Sequence, residues 1–281
     1  MMLKKFFSCF MAAAIAAAGL ITGNYSYISI DSAAADSYLS APASTDVLKE
    51  SAYVTWTPVS GADGYNVYCK PIGGSYVQLD SMLIRQYSGY FRADAVGLKP
   101  GSYVMKVVPT ADGKEDTSKA VESDAITVGN YDRSGFAFSK NSPNGGTGVG
   151  AYNDDGTLKD DAIVLYLTEE TKKTMKFDVK GSSGYVSCTG LVEILDAYSD
   201  GYDSRPLNIR IIGKVTADGV VGANSDTNNL NLKTNNTKRI VKNITIEGIG
   251  DDAVCYGFGI RGLKIQSVEI RNIGIMLFGD D

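Results

Sequence analysis

Over the last third of the chain, apolar side chains alternate with polar ones in short runs, Ile244 with Ile246 and Val268 with Ile270. The alternation then passes into consecutive apolar positions at Ile273, Ile275, Met276, Leu277 and Phe278. No helical stripe fits these runs. ITIEGIG at 244–250 aligns on VEIRNIG at 268–274 with a period of 24 residues, and LNIRIIG at 207–213 carries the same alternation and closing glycine. Repeats of that length belong to solenoids. A strand that turns Ile or Val inward cannot bury that face alone, so successive coils stack in parallel and share one core, with Gly and Asn at the corners. The pattern therefore predicts a right-handed parallel β-helix. A two-sheet sandwich would need tight hairpins, which the 24-residue spacing and the scarcity of Asn-Gly pairs disfavour.

The first half reads differently. Residues 36–43 are a linker of small residues, and a compact β domain follows over 44–129. Alternation at Tyr53, Val54, Thr55 and Trp56 stops at Pro58, Gly61, Asp63 and Gly64, then resumes through Tyr65, Asn66, Val67 and Tyr68. Pro100 and Gly101 turn the chain into another strand, and residues 125–128 close the unit. Residues 130–142 form a second linker. PNGGTGVG at 143–150 has no following Lys-Ser/Thr and no strong helix, so it is a turn-rich lead-in rather than a phosphate cradle. AIVLYL at 162–167 is a buried strand; Thr189 is the expected N-cap of a short helix carrying Leu191, Ile194 and Leu195, which would cover the open end of the first coils.

Composition narrows the chemistry. Lys4 and Lys5 precede an apolar run of 16 residues, 6–21, and Ala33, Ala34 and Ala35 fit a small-residue cleavage site, so residues 1–35 read as a secretory signal. The run is too short for a membrane anchor. Its removal leaves 25 basic and 31 acidic side chains, with no basic cluster suited to nucleic acid. The expected protein is secreted, extracellular, monomeric, and free of membrane and nucleic-acid partners. Beyond Cys9 in the signal, Cys69, Cys188 and Cys255 are odd in number and widely spaced, which favours buried free thiols over a disulfide framework. The chain has no histidine. Ser-His-Asp and Cys-His nucleophilic catalysis and the usual zinc ligands are thereby removed, leaving carboxylates, Lys, Arg, Tyr or an oxygen-bound metal.

Two family resemblances follow. VTWTPVSGADGYNVY at 54–68, with Trp56 as its core aromatic, and LKPGSYVMKV at 98–107, with Leu98 and Tyr103 at a strand corner, resemble a fibronectin type III domain. Such a domain implies a spacer or contact module rather than chemistry. From residue 190 onward the order is helix, PLNIRIIGKV (206–215), LNLKTNNTKRIVKNITIEGIGDD (230–252), YGFGIRG (256–262) and SVEIRNIGIMLFGDD (267–281). That order resembles the amino-terminal part of a pectate lyase, with ITIEGIG and VEIRNIG matching its two central elements over residues 143–281. The combined expectation is an all-β chain, a fibronectin type III-like sandwich followed by a truncated right-handed parallel β-helix.

The resemblance implies cleavage of an acidic plant cell-wall polysaccharide, pectate, by β-elimination with calcium as cofactor. Calcium bound by carboxylate oxygens can neutralise the uronate while a base, often Arg in this family, takes the adjacent proton. The family's first calcium-binding acid falls after the IRN strand, by position Asp280 or Asp281; no catalytic residue is assigned, and the remaining ligands would lie beyond residue 281, so the isolated chain is expected to be inactive. One or two carboxylates fall short of the six to eight oxygens calcium takes, so a solvated terminus is the competing reading of Asp280 and Asp281. Asp251 and Asp252 read as a solvated turn after Gly250, and Asp196, Asp200 and Asp203 as a surface loop. Arg210 and Arg271 alternate with inward Ile residues and so face outward, toward the family's groove; with Arg261 they are candidates for holding a uronate. Two other classes stay open: a non-catalytic β-helix that binds polysaccharide or acts as an adhesin, and glycoside hydrolysis, for which adjacent Asp280 and Asp281 would project to opposite faces of a strand.

Overall fold

The computed structural model describes residues 39–41, 47–133, 135, 138–139, 141, 148–222 and 228–278, and these are mostly β. The first half contains β1 (Leu39–Ser40), β2 (Leu48–Lys49), β3 (Ser51–Trp56), β4 (Gly64–Pro71), β5 (Val77–Gln78), β6 (Ile84–Tyr87), β7 (Tyr90–Val96), β8 (Gly101–Ala111), β9 (Lys114–Glu115), β10 (Val121–Glu122) and β11 (Ile126–Gly129). One sheet runs β1-β3-β7-β6 and a second runs β2-β11-β8-β4-β5, with β9 and β10 also on β8. Alternation decides which face is buried: in β3, Ala52, Val54 and Trp56 point inward and the residues between them do not. Both sheets feed one core, where Trp56 stacks on Phe91 at 5.7 Å and meets Tyr65 edge-on at 5.2 Å. Leu39 and Ser40, expected in a linker, instead pair antiparallel with Trp56 and Thr55. The hydroxyl of Tyr103 donates to the Lys99 carbonyl at 3.0 Å, tying the start of β8 to the turn before it.

The second half contains β12 (Ile163–Leu167), β13 (Lys176–Gly181), β14 (Gly184–Thr189), α1 (Leu191–Tyr198), β15 (Leu207–Thr216), β16 (Asn229–Lys233), β17 (Lys242–Tyr256), β18 (Gly259–Leu263), β19 (Gln266–Arg271) and β20 (Gly274–Met276). Strands β12, β15, β17 and β19 form a parallel sheet in that order, and β16 pairs in parallel with β18. The 24-residue alignment is the pairing register of β17 on β19, Ile244 opposite Val268 and Ile246 opposite Ile270. Apolar rungs thus run across the sheet, Ile163–Leu207–Ile244–Val268 and Leu165–Ile209–Ile246–Ile270. Beyond Gly250 the chain of β17 continues as Val254, Cys255 and Tyr256, flanked by Lys214–Thr216 on one side and by β20 on the other. The bend needs glycine: Gly250 sits at φ +76°, and a Cβ there would lie 2.1 Å from the Arg85 guanidinium.

Helix α1 begins one residue later than expected. Gly190, at φ +82°, is its N-cap and makes no side-chain capping bond, and Thr189 ends β14 instead. The backbone of Lys172 and Lys173 comes so close to Gly190 that a side chain there would press on it. Leu191, Ile194, Leu195 and Tyr198 enter the core beneath the parallel sheet. The free thiols Cys69, Cys188 and Cys255 are buried, as their spacing suggested; burial pushes Cys69 up to about 12 and Cys255 up to about 11.

The rungs rank their own members. Ile209 is fully buried, so Ile209→Ala should cost about 2–5 kcal/mol in urea unfolding. Ile270, 46% exposed on the outermost strand, should cost about 1 kcal/mol or less when changed to Ala, and comparable losses at the two sites would contradict this rung order.

Candidate functional site

Outward positions of the parallel strands carry the unusual chemistry. In register order one column reads Tyr166, Arg210, Glu247, Arg271 and the next Val164, Asn208, Thr245, Glu269. The 3% exposed Glu247 accepts five hydrogen bonds: Oε1 from the Tyr152 hydroxyl, Asn208 Nδ2 at 2.9 Å and Arg210 Nε at 3.1 Å, and Oε2 from Arg271 Nε at 3.1 Å and Nη2 at 2.9 Å. Burial pushes this carboxyl up, but Arg271 and Arg210, with the Tyr152 and Asn208 donors, outweigh burial and hold it below its ordinary value.

The network then crosses to the first half of the chain. Arg271 Nη1 donates to Glu50 Oε2 at 2.9 Å, and Arg133 grips both oxygens of the same carboxylate. Glu50 is 1% exposed and held at φ 52° between β2 and β3, where its carbonyl accepts from Gly97 and Leu98. The Arg271 guanidinium also lies over the rings of Tyr152 at 4.1 Å and Tyr131 at 4.8 Å. Glu269 completes the group 3.6 Å from Arg271 and 3.9 Å from Arg133. Burial raises its carboxyl above the ordinary value, more than those two arginines lower it, and Glu50 and Glu247 add to the rise. Three carboxylates face three guanidinium groups, so the cluster is neutral and its members are mutually paired.

A second junction lies alongside. Arg85 and Arg92, both 8% exposed on β6 and β7, share Asp94 at 2.7 and 2.8 Å. Arg85 reaches Asp252 at 2.6 Å and the Ile249 carbonyl at 3.1 Å, Arg92 reaches Asp251 at 2.7 Å, and the Tyr87 hydroxyl donates to Asp252 at 2.9 Å. Asp251 and Asp252 are solvent-exposed, as expected, but they lie within β17 rather than in a turn and pair with Arg92 and Arg85. Arg210 and Arg271 do face outward, but onto buried carboxylates and tyrosines instead of an open groove, because the first half of the chain covers that face.

The remaining candidates separate. Asp280 and Asp281 lie outside the described residues. Arg261 is exposed on β18. Asp196 pairs with Lys233 at 3.1 Å on the exposed side of α1, while Asp203 is buried, bound to Arg205 and to the Lys180 amide. Among the described residues no group of three or more Cys, Asp or Glu side chains is placed to hold a metal, and the carboxylates nearest the outward face are already committed to arginine. Nor, among the described residues, is any helix long and apolar enough to cross a membrane. An open cleft of about 530 Å³ is lined by Lys176, Phe177, Asp178, Tyr185 and Arg205, beside the hairpin of β13 and β14. No protein-family model and no curated protein matches the chain.

Sequence reasoning missed Glu50, Arg133, Tyr152, Glu247 and Glu269, as well as the Arg85–Arg92–Asp94 group. One signal was available: the 24-residue alignment that pairs Ile246 with Ile270 also sets Glu247 beside Arg271, opposite charges in one outward column.

Removing one partner of a buried pair leaves the other charge unpaired, so Glu247→Gln should cost about 3–5 kcal/mol in chemical unfolding. The pH dependence has two parts of opposite sign. Glu247, held below its ordinary value, contributes stability that is present above that value and lost as pH falls through the lower folded one. Glu269, held above its ordinary value, opposes folding while ionised and is relieved as pH falls through its folded value. Glu269→Gln should therefore flatten the mildly acidic part of the unfolding-midpoint curve and leave the fall at lower pH intact; a variant curve parallel to the parent's throughout would contradict the assignment.

Proposed function

We propose that the protein is a secreted, pectate-lyase-like enzyme that cleaves polygalacturonate by calcium-assisted β-elimination, built on a parallel β-helix with a fibronectin type III-like sandwich docked against it. One observation carries this reading: ITIEGIG and VEIRNIG, the two elements that resemble the family, are neighbouring parallel strands paired in the 24-residue register. Three strips of parallel pairing, the β12-β15-β17-β19 sheet, its continuation through Val254–Tyr256, and β16 with β18, suit three faces of such a coil. The Tyr103-to-Lys99 hydrogen bond suits the tyrosine corner of an Ig-like sandwich. A chain without histidine is compatible with elimination by a non-histidine base.

The saturated outward face favours a second reading, a non-catalytic β-helix that binds polysaccharide or serves as an adhesin. Over β15, β17 and β19 the described acids and arginines are tied to one another, which suits a scaffold better than a catalytic groove.

The secreted protein, produced from its natural reading frame, should release unsaturated uronate that absorbs in the ultraviolet when given polygalacturonate. A chelator should abolish the product and added calcium restore it. Binding without product would select the second reading, and hydrolytic or calcium-independent cleavage would remove the first.

A further inference from the structure

The β13–β14 hairpin stands apart from the network just described. Most of its side chains are exposed, Tyr185 by 65% and Val186 by 51%, and it flanks the open cleft. The free edge of β13 is occupied by two side chains rather than another strand. Asp203 accepts from the Lys180 amide at 3.0 Å, and Arg205 Nη2 donates to the Asp178 carbonyl at 3.0 Å.

That arrangement fixes Arg205 without consuming it. The Asp203 carboxylate takes Nε at 2.9 Å and Nη2 at 2.6 Å, and the guanidinium carbon lies 5.0 Å from the Phe177 ring and 5.6 Å from the Tyr185 ring. Nη1 keeps both of its N–H groups without an acceptor among the described residues. Lys176 at the cleft wall has no ion-pair partner among them either; the Asp178 carboxylate, also in the lining, accepts the Ser187 hydroxyl on one oxygen and keeps its negative charge. The cleft thus offers an exposed aromatic face, one pre-positioned guanidinium amino group and one ammonium without an ion-pair partner among the described residues.

We propose that this cleft is a saccharide-binding subsite that holds an acidic sugar residue of a polysaccharide chain, separate from the outward face of the parallel sheet. A pyranose ring lays its C–H face on the Tyr185 ring, and its carboxylate takes the Arg205 Nη1 donors and the Lys176 ammonium. The openness of the cleft suits a residue within a passing polymer better than a small molecule, which an enclosed pocket would bury. Two cations are too few for nucleic acid, whose binding depends on neutralising many phosphates.

The choice of polygalacturonate as probe rests on the function proposed above; the site itself rests on the cleft. Native gels containing polygalacturonate, run with chelator so that no cleavage occurs, should retard the parent protein, and gels containing neutral galactan should not. Tyr185→Ala and Lys176→Ala alter exposed side chains, so unfolding midpoints should stay unchanged while each weakens binding about tenfold. Parent protein that is not retarded, variants retarded as strongly as the parent, or equal retardation by galactan would overturn the subsite. Retardation that depends on Tyr185, in a protein that yields no uronate product, supports the subsite while removing the lyase reading.

Discussion

The Glu247 carboxylate, buried between Arg210 and Arg271, is the constraint on which the rest of the molecule depends. It sits at the centre of the parallel sheet's outward face, where a buried polar group needs a partner. Its five donors come from β15, from β19 and from the loop that carries Tyr152. Arg271 then extends the same network to Glu50 in the first half of the chain. A buried ion pair adds little net stability compared with a well-packed apolar pair, but it strongly penalises any arrangement in which one partner is missing. The cluster therefore acts mainly on specificity: it fixes which face of the parallel sheet the two-sheet unit covers.

That docking changes what the outward face can do. Arginines in a column beside inward isoleucines would suit a groove for an acidic polymer if the face were open. Covered by Glu50, Tyr131, Tyr152 and Arg133, the same arginines are neutralised and bonded to Glu247, Glu50 and tyrosine hydroxyls. The second junction, Arg85 and Arg92 against Asp94, Asp251 and Asp252, places a further set of charges at the bend of β17. Only glycine at position 250 lets Arg85 approach that bend. Polar binding capacity remains instead at the hairpin of β13 and β14, where Arg205 is anchored through Nε and Nη2 and its Nη1 has no acceptor among the described residues.

The strands were legible because their signal is local. Alternation placed β3, β4 and β17, and the 24-residue alignment gave the pairing of β17 with β19 residue by residue, since the inward residues of one strand must line up with those of its neighbour in the sheet. Three widely spaced cysteines among apolar neighbours were rightly read as buried thiols. The start of α1 departs from the Thr189 cap that residue type suggests because the cap position takes φ +82°, a conformation that favours glycine, with the Lys172–Lys173 backbone close by. Leu39 and Ser40 carry no strand signal because a two-residue strand has too short a pattern to register.

The amino-acid sequence by itself determined the β content, the repeat length, the inward residues and the exclusion of histidine chemistry, because each follows from residue type and spacing along one stretch of chain. Only the tertiary structure decided which outward charges stay available. Glu50 and Arg271 are 221 residues apart, and Arg85 and Asp252 are 167 apart. No local pattern reports a pairing at that distance. Whether an outward arginine faces solvent or a buried carboxylate is settled when one sheet of the fold closes over another.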